Sequence, residues 1–230
     1  MDIILVPGLW LDASSWDEVT PALTAAGHRV HPLTLPGLGE PASDLGMDDW
    51  VAAVVERIDA LEAPVVLVGH SGGGNVVWGA ADARPDRVAR VVFVDTVPPA
   101  PGNGISEFEV VDGVVPFPGW DHFPDEDVYD LDDATRARTA PLTRSVPARV
   151  PTDPIALTDP RRHDVPVTLL MGGVDRDALE GMLGEWPAYR DEFAAIGDAK
   201  VVTLGSGHWP QFSMPARLAE QIVEAVDRGQ

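Results

Sequence analysis

The 230-residue chain contains no cysteine. Disulfides, thiolate-bound metals and a cysteine nucleophile are excluded together, so serine, histidine and carboxylates must carry any chemistry. Lysine is nearly absent as well: Lys200 is the only one, and every other basic residue is arginine. The 16 basic residues face 37 acidic ones, a net charge of −21 that argues against nucleic acid and anionic membrane surfaces as partners. No apolar run approaches the roughly 20 residues of a membrane span. Met1-Asp2-Ile3-Ile4-Leu5-Val6 has neither the basic region nor the apolar length of a secretion signal, so a cytoplasmic location is expected. No repeat period is present, and 45% apolar with 23% charged residues is ordinary globular composition. The length suits a single domain over 1–230.

What the chain does have is a regular alternation of short β-branched runs with helical patterns. Asp2–Val6, Arg29–Leu35, Val65–Val68, Val88–Val94, Val167–Met171 and Lys200–Leu204 read as strands. Between and after them, helices are predicted from a cap at Ser14 or Ser15 to Gly27, over Met47–Leu61, over Asn75–Arg84, over Ala178–Phe193 with an interruption at Pro187, and over Pro215–Asp227. The expected fold class is α/β, with a mostly parallel central sheet and helices on both faces. The pattern breaks at about 98–166, where 12 of the 22 prolines fall and only Asp132–Thr139 reads as helix. An insertion of this length in a regular α/β chain is read as a proline-rich lid.

One stretch carries chemistry. Val65-Val66-Leu67-Val68 leads into Gly69-His70-Ser71-Gly72-Gly73 and then a helix, the strand–turn–helix context of a nucleophile elbow. A serine on so sharp a turn is strained and exposed, and the residues two before and two after it must be very small. The helix beginning at Gly72 directs free N–H groups and its positive end toward the same point. No Gly-Lys-Ser/Thr follows, which argues against a phosphate loop.

A hydroxyl nucleophile needs a base, and a histidine base needs a third group to fix its tautomer. In an open parallel sheet the ligand site lies outside the carboxyl ends of the strands. Ser71, Asp95, Asp175 and His208 all follow such ends. His208, in the loop Gly205-Ser206-Gly207-His208, is the expected base; His28, His31, His70, His122 and His163 read as structural or surface imidazoles. Asp175, after the penultimate strand, gives the order Ser–Asp–His and is the preferred acid; Asp95 is the alternative and Asp177 a lesser competitor. Trp10, Trp120 and Trp209 are candidates to line an apolar substrate pocket. The run from Asp121 to Asp133 lacks the glycine and spacing of a calcium loop and reads as a solvated face, so neither a metal nor a cofactor is expected. With carboxylates dominating the lid, neutral and cationic substrates should enter more readily than anionic ones, unless one of Arg136, Arg138, Arg144, Arg149, Arg161 or Arg162 turns inward.

These motifs resemble the α/β-hydrolase superfamily, and more narrowly its small-lid branch of plant methyl esterases, hydroxynitrile lyases and bacterial relatives. Val6-Pro7-Gly8-Leu9-Trp10 through Trp16 is similar to that branch's opening His-Gly-x-Trp…Trp, with Pro7 in place of the histidine; Gly69–Gly73 matches the elbow; and His208-Trp209-Pro210-Gln211-Phe212-Ser213 with Pro215 resembles the closing motif. The likeness covers the core and not the lid. It implies that the oxyanion is held by the backbone N–H groups of Leu9 and Gly72. Trp209 and Gly8 stand where the lyases carry lysine and threonine, which argues against cyanohydrin cleavage, and Ser71 argues against the aspartate-nucleophile hydrolases. The expected activity is hydrolysis of a small, largely apolar carboxylic ester through an acyl-enzyme. A thioester, lactone or C–C bond hydrolase with the same triad, or a small-molecule-binding protein that keeps the triad without turnover, are the alternatives. The sequence specifies no oligomeric state.

Overall fold

The β-branched runs become the strands of a single parallel sheet in the computed structural model, which describes residues 1–228. In chain order the elements are β1 (Asp2–Val6), α1 (Thr20–Ala25), β2 (Arg29–Pro32), α2 (Met47–Asp59), β3 (Val65–His70), α3 (Gly73–Ala83) and β4 (Val88–Val94). Then come β5 (Val114–Val115), α4 (Asp125–Val128), α5 (Asp133–Thr139), β6 (Val146–Pro147) and β7 (Val167–Met171). The chain ends in α6 (Arg176–Leu183), α7 (Pro187–Ala195), β8 (Ala199–Thr203), α8 (Pro210–Ser213) and α9 (Pro215–Asp227). The six-stranded sheet has the order β2-β1-β3-β4-β7-β8 with every pairing parallel. β3, which delivers the elbow, is central, flanked by β1 and β4, so the loops after all three converge.

Period-2 alternation puts consecutive strand residues on opposite faces. Ile4, Val6, Leu67, Phe93 and Leu169 pack with Trp50, Val54, Trp78 and Ile155 on one face. Ile3, Leu5, Val66, Val68, Val92 and Leu170 pack with Leu23, Leu218, Ile222 and Val226 on the other. α3 has buried residues all around it, since it lies between the sheet and α2. Its polar ending is tied down by ions: Asp82 accepts from Arg162 at 3.1 Å, and Arg162 makes a bidentate pair with Glu192 of α7, both bonds 2.8 Å.

Several boundaries differ from the sequence reading for identifiable reasons. β2 ends at Pro32 rather than Leu35, with one further bond from the Leu33 N–H to the Leu5 carbonyl. The first helical turn is a 3₁₀ turn over Ala13–Trp16 capped by Asp12, whose carboxylate accepts from the Ser14 N–H at 2.9 Å; it precedes the short α1 instead of a long helix capped by Ser14 or Ser15. The interruption expected at Pro187 splits the segment into α6 and α7. Residues 98–166 contain the small antiparallel β5–β6 pair, α4 and α5. Trp120, Val128 and Leu131 from this segment share a cluster with Leu11, Trp209 and Phe212. No helix among the described residues is long and apolar enough to cross a membrane.

Candidate active site

Four non-glycine residues among those described have φ in the left-handed region, and three of them lie at the carboxyl edge of the sheet: Trp10 (φ 65°), Ser71 (φ 51°) and Asp95 (φ 47°). Such backbone costs about 1–3 kcal/mol per residue and persists only where surrounding structure imposes it. At Ser71 the cause is the turn between β3 and α3. A Cβ on Gly69 would stand 2.6 Å from the Gly73 carbonyl oxygen, and one on Gly73 would stand 2.5 Å from the Pro7 carbonyl oxygen. Both distances are below van der Waals contact, so the two glycines are steric requirements of the elbow.

The Ser71 Oγ lies 2.8 Å from Nε2 of His208, and Nδ1 of His208 lies 2.6 Å from Oδ2 of Asp95. Asp95, the residue directly after β4, is thus the acid on the imidazole. Asp175 is not: it is exposed and caps α6, its carboxylate accepting the Ala178 N–H at 3.0 Å. Asp177 is exposed in the first turn of the same helix. The structure thus does not bring Asp175, the acid preferred from the sequence, to His208; it brings the alternative, Asp95. Asp95 is held from both sides, since its Oδ1 accepts the Gly172 N–H at 2.7 Å. A side chain on Gly172 would meet that oxygen at 2.9 Å. Burial alone would raise the Asp95 carboxyl, but the bonds from His208 and Gly172 and the nearby imidazole hold it below the usual carboxylate range. With Asp95 ionised, Nδ1 of His208 carries the proton and Nε2 is free to accept from Ser71.

His70 explains how the histidine loop is fixed. Burial, reinforced by the neighbouring His208, pushes its pKa down to about 3, so it is neutral. Its Nε2–H donates to the His208 carbonyl at 2.7 Å, and its Nδ1 accepts from Nε2 of Gln211 at 3.2 Å. The 98–166 segment grips the same loop. The Asp127 carbonyl accepts the His208 N–H at 2.8 Å, the Asp130 carboxylate accepts the Gly207 N–H at 2.8 Å, and the Tyr129 hydroxyl donates to the Gly205 carbonyl at 3.1 Å.

Beside the serine lies a cavity of about 200 Å³ lined by Gly8, Leu9, Trp10, Ile105, Phe108, Phe123 and Trp209 together with Ser71, His70 and His208; Ser106 and Asp127 complete it. Neither Leu9 nor Gly72 donates its backbone N–H to another group among the described residues. Gly72 immediately precedes α3, so its N–H is one of the free donors at the helix start. Of the three tryptophans, Trp10 and Trp209 line the cavity. Trp120 does not: it stands behind Trp209, ring centroids 5.0 Å apart in an edge-on pair, and stiffens that wall. None of the six candidate arginines lines the cavity; each is paired elsewhere, Arg136 with Asp121, Arg138 with Glu18, Arg144 with Asp12, Arg149 with Asp153, Arg161 with Asp159 and Arg162 with Glu192. A larger hollow of about 560 Å³ against α6, α7 and β8 contains no member of the Ser71–His208–Asp95 relay.

Sequence reasoning missed Ile105, Phe108, Phe123 and Asp127, because a segment with little periodicity gives no sign of which residues face inward. Gln211 was visible in the closing motif, yet its role as the partner of His70 depends on a contact between distant segments.

Comparison with known proteins identifies the fold and the family. The family model described as the alpha/beta hydrolase family matches residues 3–221, and the chain belongs to that family. It is 29% identical over 248 aligned positions to a pyrethroid hydrolase of Sphingobium wenxiniae, an alignment covering 98% of this chain and 88% of that protein. It is 40% identical to the rice esterase PIR7B over 107 positions, 44% of this chain and 40% of the relative. Among solved structures, a pyrethroid hydrolase from Sphingobium faniae superposes with a TM-score of 0.72 at 26% identity, covering 99% of this chain and 97% of the other. An Arabidopsis methylesterase reaches a TM-score of 0.75 at 22% identity with 99% of both chains covered, a likeness of fold.

Proposed function

We propose that this α/β-hydrolase is a serine esterase cleaving small, largely apolar carboxylic esters. Ser71 is the nucleophile, His208 the general base and then acid, and Asp95 the group that fixes and stabilises the imidazole. The Ser71 hydroxyl gives its proton to Nε2 of His208 as its oxygen bonds to the ester carbonyl carbon, and the N–H groups of Leu9 and Gly72 receive the oxyanion. Collapse of the intermediate passes that proton to the leaving alcohol and leaves an acyl group on Ser71; water, deprotonated by His208, then releases the carboxylic acid. The observation that carries the reading is the unbroken relay from Ser71 through His208 to Asp95, at 2.8 Å and 2.6 Å, opening on a cavity beside two free backbone donors.

The cavity volume, about 200 Å³, is below the roughly 300–1,000 Å³ of common ligand sites, and its aromatic lining suits a small apolar acyl or alcohol group. Relatives named as esterases and methylesterases support the ester as the bond cleaved. Residues 98–166 are proposed to act as the lid, since they supply Ile105, Phe108, Phe123 and Asp127 to the cavity wall. The test is labelling by a fluorophosphonate, followed by rates on matched esters, thioesters and lactones. Labelling that disappears in Ser71→Ala and highest kcat/KM on esters is the expected result. Labelling without turnover of any of the three classes would favour a binding protein, and faster thioester or lactone cleavage would replace the substrate class while keeping the relay.

A further inference from the structure

The catalytic cavity contains a carboxylate that the hydrolytic relay does not use. Asp127 sits in α4 with its backbone fixed at both ends: its N–H donates to the Pro124 carbonyl at 2.9 Å, and its carbonyl accepts the His208 N–H at 2.8 Å. The residue lines the cavity together with Ser71 and His208, and its carboxylate has no hydrogen-bond or ion-pair partner among the described residues. No lysine or arginine lines the cavity. Burial, added to the charges of Asp95 and Glu126, outweighs the opposing pull of His208 and holds the Asp127 carboxyl above the ordinary range. The adjoining groove has the same sign. About 390 Å³ in volume, it shares Phe108 with the cavity and is lined by Glu107, Glu109, Pro116, Pro118 and His122.

A half-buried carboxylate with no hydrogen-bond partner is stabilised when a positive charge meets it. A hydrophobic pocket that needed only to admit apolar esters would be better served by an uncharged residue at this position. We propose that Asp127 is a specificity residue that favours esters whose alcohol or acyl part bears a cationic amine over neutral isosteres. Trp10, Phe108, Phe123 and Trp209, which line the same cavity, suit the same group, because aromatic ring faces attract alkylammonium ions. This inference rests on the ester hydrolase reading above.

The test compares choline acetate, meaning the O-acetyl ester of choline and not the salt, with 3,3-dimethylbutyl acetate; the two have the same shape and differ in a quaternary nitrogen replacing carbon. The ratio of their kcat/KM values cancels any general effect on catalysis. In the wild type the ratio favours choline acetate, and Asp127→Asn lowers it by about tenfold, the size expected of one charge pair in a half-exposed cleft after screening. The long-range field of the acidic protein acts on both forms alike, so added salt lowers both ratios and leaves a gap between them. A second arm needs no turnover: Ser71→Ala binds choline acetate more tightly than does Ser71→Ala/Asp127→Asn by the same factor, read by calorimetry. An unchanged kinetic ratio together with equal or absent binding overturns the proposal. Selective binding with no hydrolysis of either acetate by the wild type would sustain the Asp127 inference and bring down the esterase reading instead.

Discussion

Replacing Asp95 by asparagine removes one charge and changes almost no volume, so its effect isolates what the carboxylate does. In the wild type Oδ1 accepts the Gly172 N–H at 2.7 Å and Oδ2 accepts from Nδ1 of His208 at 2.6 Å. The Gly172 N–H can only donate, so it holds the amide oxygen of an asparagine and turns the NH₂ toward His208. Nδ1 then has to accept, the ring proton moves to Nε2, and Nε2 can no longer take the proton of Ser71, 2.8 Å away. Tautomer reversal of this kind costs about 10⁴-fold in kcat in serine proteases, equivalent to about 5 kcal/mol of transition-state stabilisation. Asp175→Asn is the matched control: asparagine caps a helix as well as aspartate, so the Ala178 N–H keeps an acceptor and activity should change less than about threefold. The assay is kcat/KM on a p-nitrophenyl ester, with circular dichroism to show that both variants fold. A loss under tenfold in Asp95→Asn, or a larger loss in Asp175→Asn, would refute the assignment.

The elbow can be tested by crowding: Gly73→Ala places a methyl 2.5 Å from the Pro7 carbonyl oxygen and should cost roughly 1–3 kcal/mol in urea unfolding, with loss of activity beyond the loss of folded protein. Arg162→Ala leaves Asp82 and Glu192 buried without their cation and should lower stability by about 3–5 kcal/mol, read as a drop in Tm. The depressed Asp95 carboxyl sets a sign for pH: its contribution to stability is present above the unfolded value of 3.8 and is lost as pH falls through the lower folded value. The stability difference between wild type and Asp95→Asn should therefore shrink as pH is lowered below about 4, and a difference that grows there would contradict the shift. Because no arginine lines the cavity, methyl hydrogen succinate should show lower kcat/KM than dimethyl succinate and approach it with added salt.

The parallel sheet, its helices and the elbow were legible because they rest on local rules. β-branched runs of five or so residues, glycines flanking a serine, and a proline at 187 act within a few residues of themselves. The place of His208, on a glycine-flanked loop after the last strand, was legible for the same reason. The carboxylate that meets His208 was harder to read, because Asp95 and Asp175 both follow strands and the choice depends on strand order. β4 lies between β3 and β7, so the residue directly after β4 stands beside the elbow; Asp175 lies past Gly172-Gly173-Val174, at the start of α6. A capping reading of Asp175 ahead of Arg176-Asp177-Ala178 would have flagged its other role. The 98–166 segment was least legible: with 12 prolines and little periodicity, its inward residues are set by contacts with Leu11, Trp209 and Phe212 rather than by its own pattern.

The central claim is that Ser71 forms a covalent acyl-enzyme with an ester, and one measurement reads it directly. The protein is mixed with a p-nitrophenyl ester, quenched in acid within the burst, digested with trypsin and analysed by mass. Ser71 is the only serine in the peptide 58–87, since cleavage before Pro85 is blocked. The account predicts that this peptide gains the mass of the acyl group in the wild type, that the gain is absent in Ser71→Ala, and that it decays at the rate of turnover. Acylation elsewhere, or steady ester turnover with peptide 58–87 unmodified throughout, would contradict it.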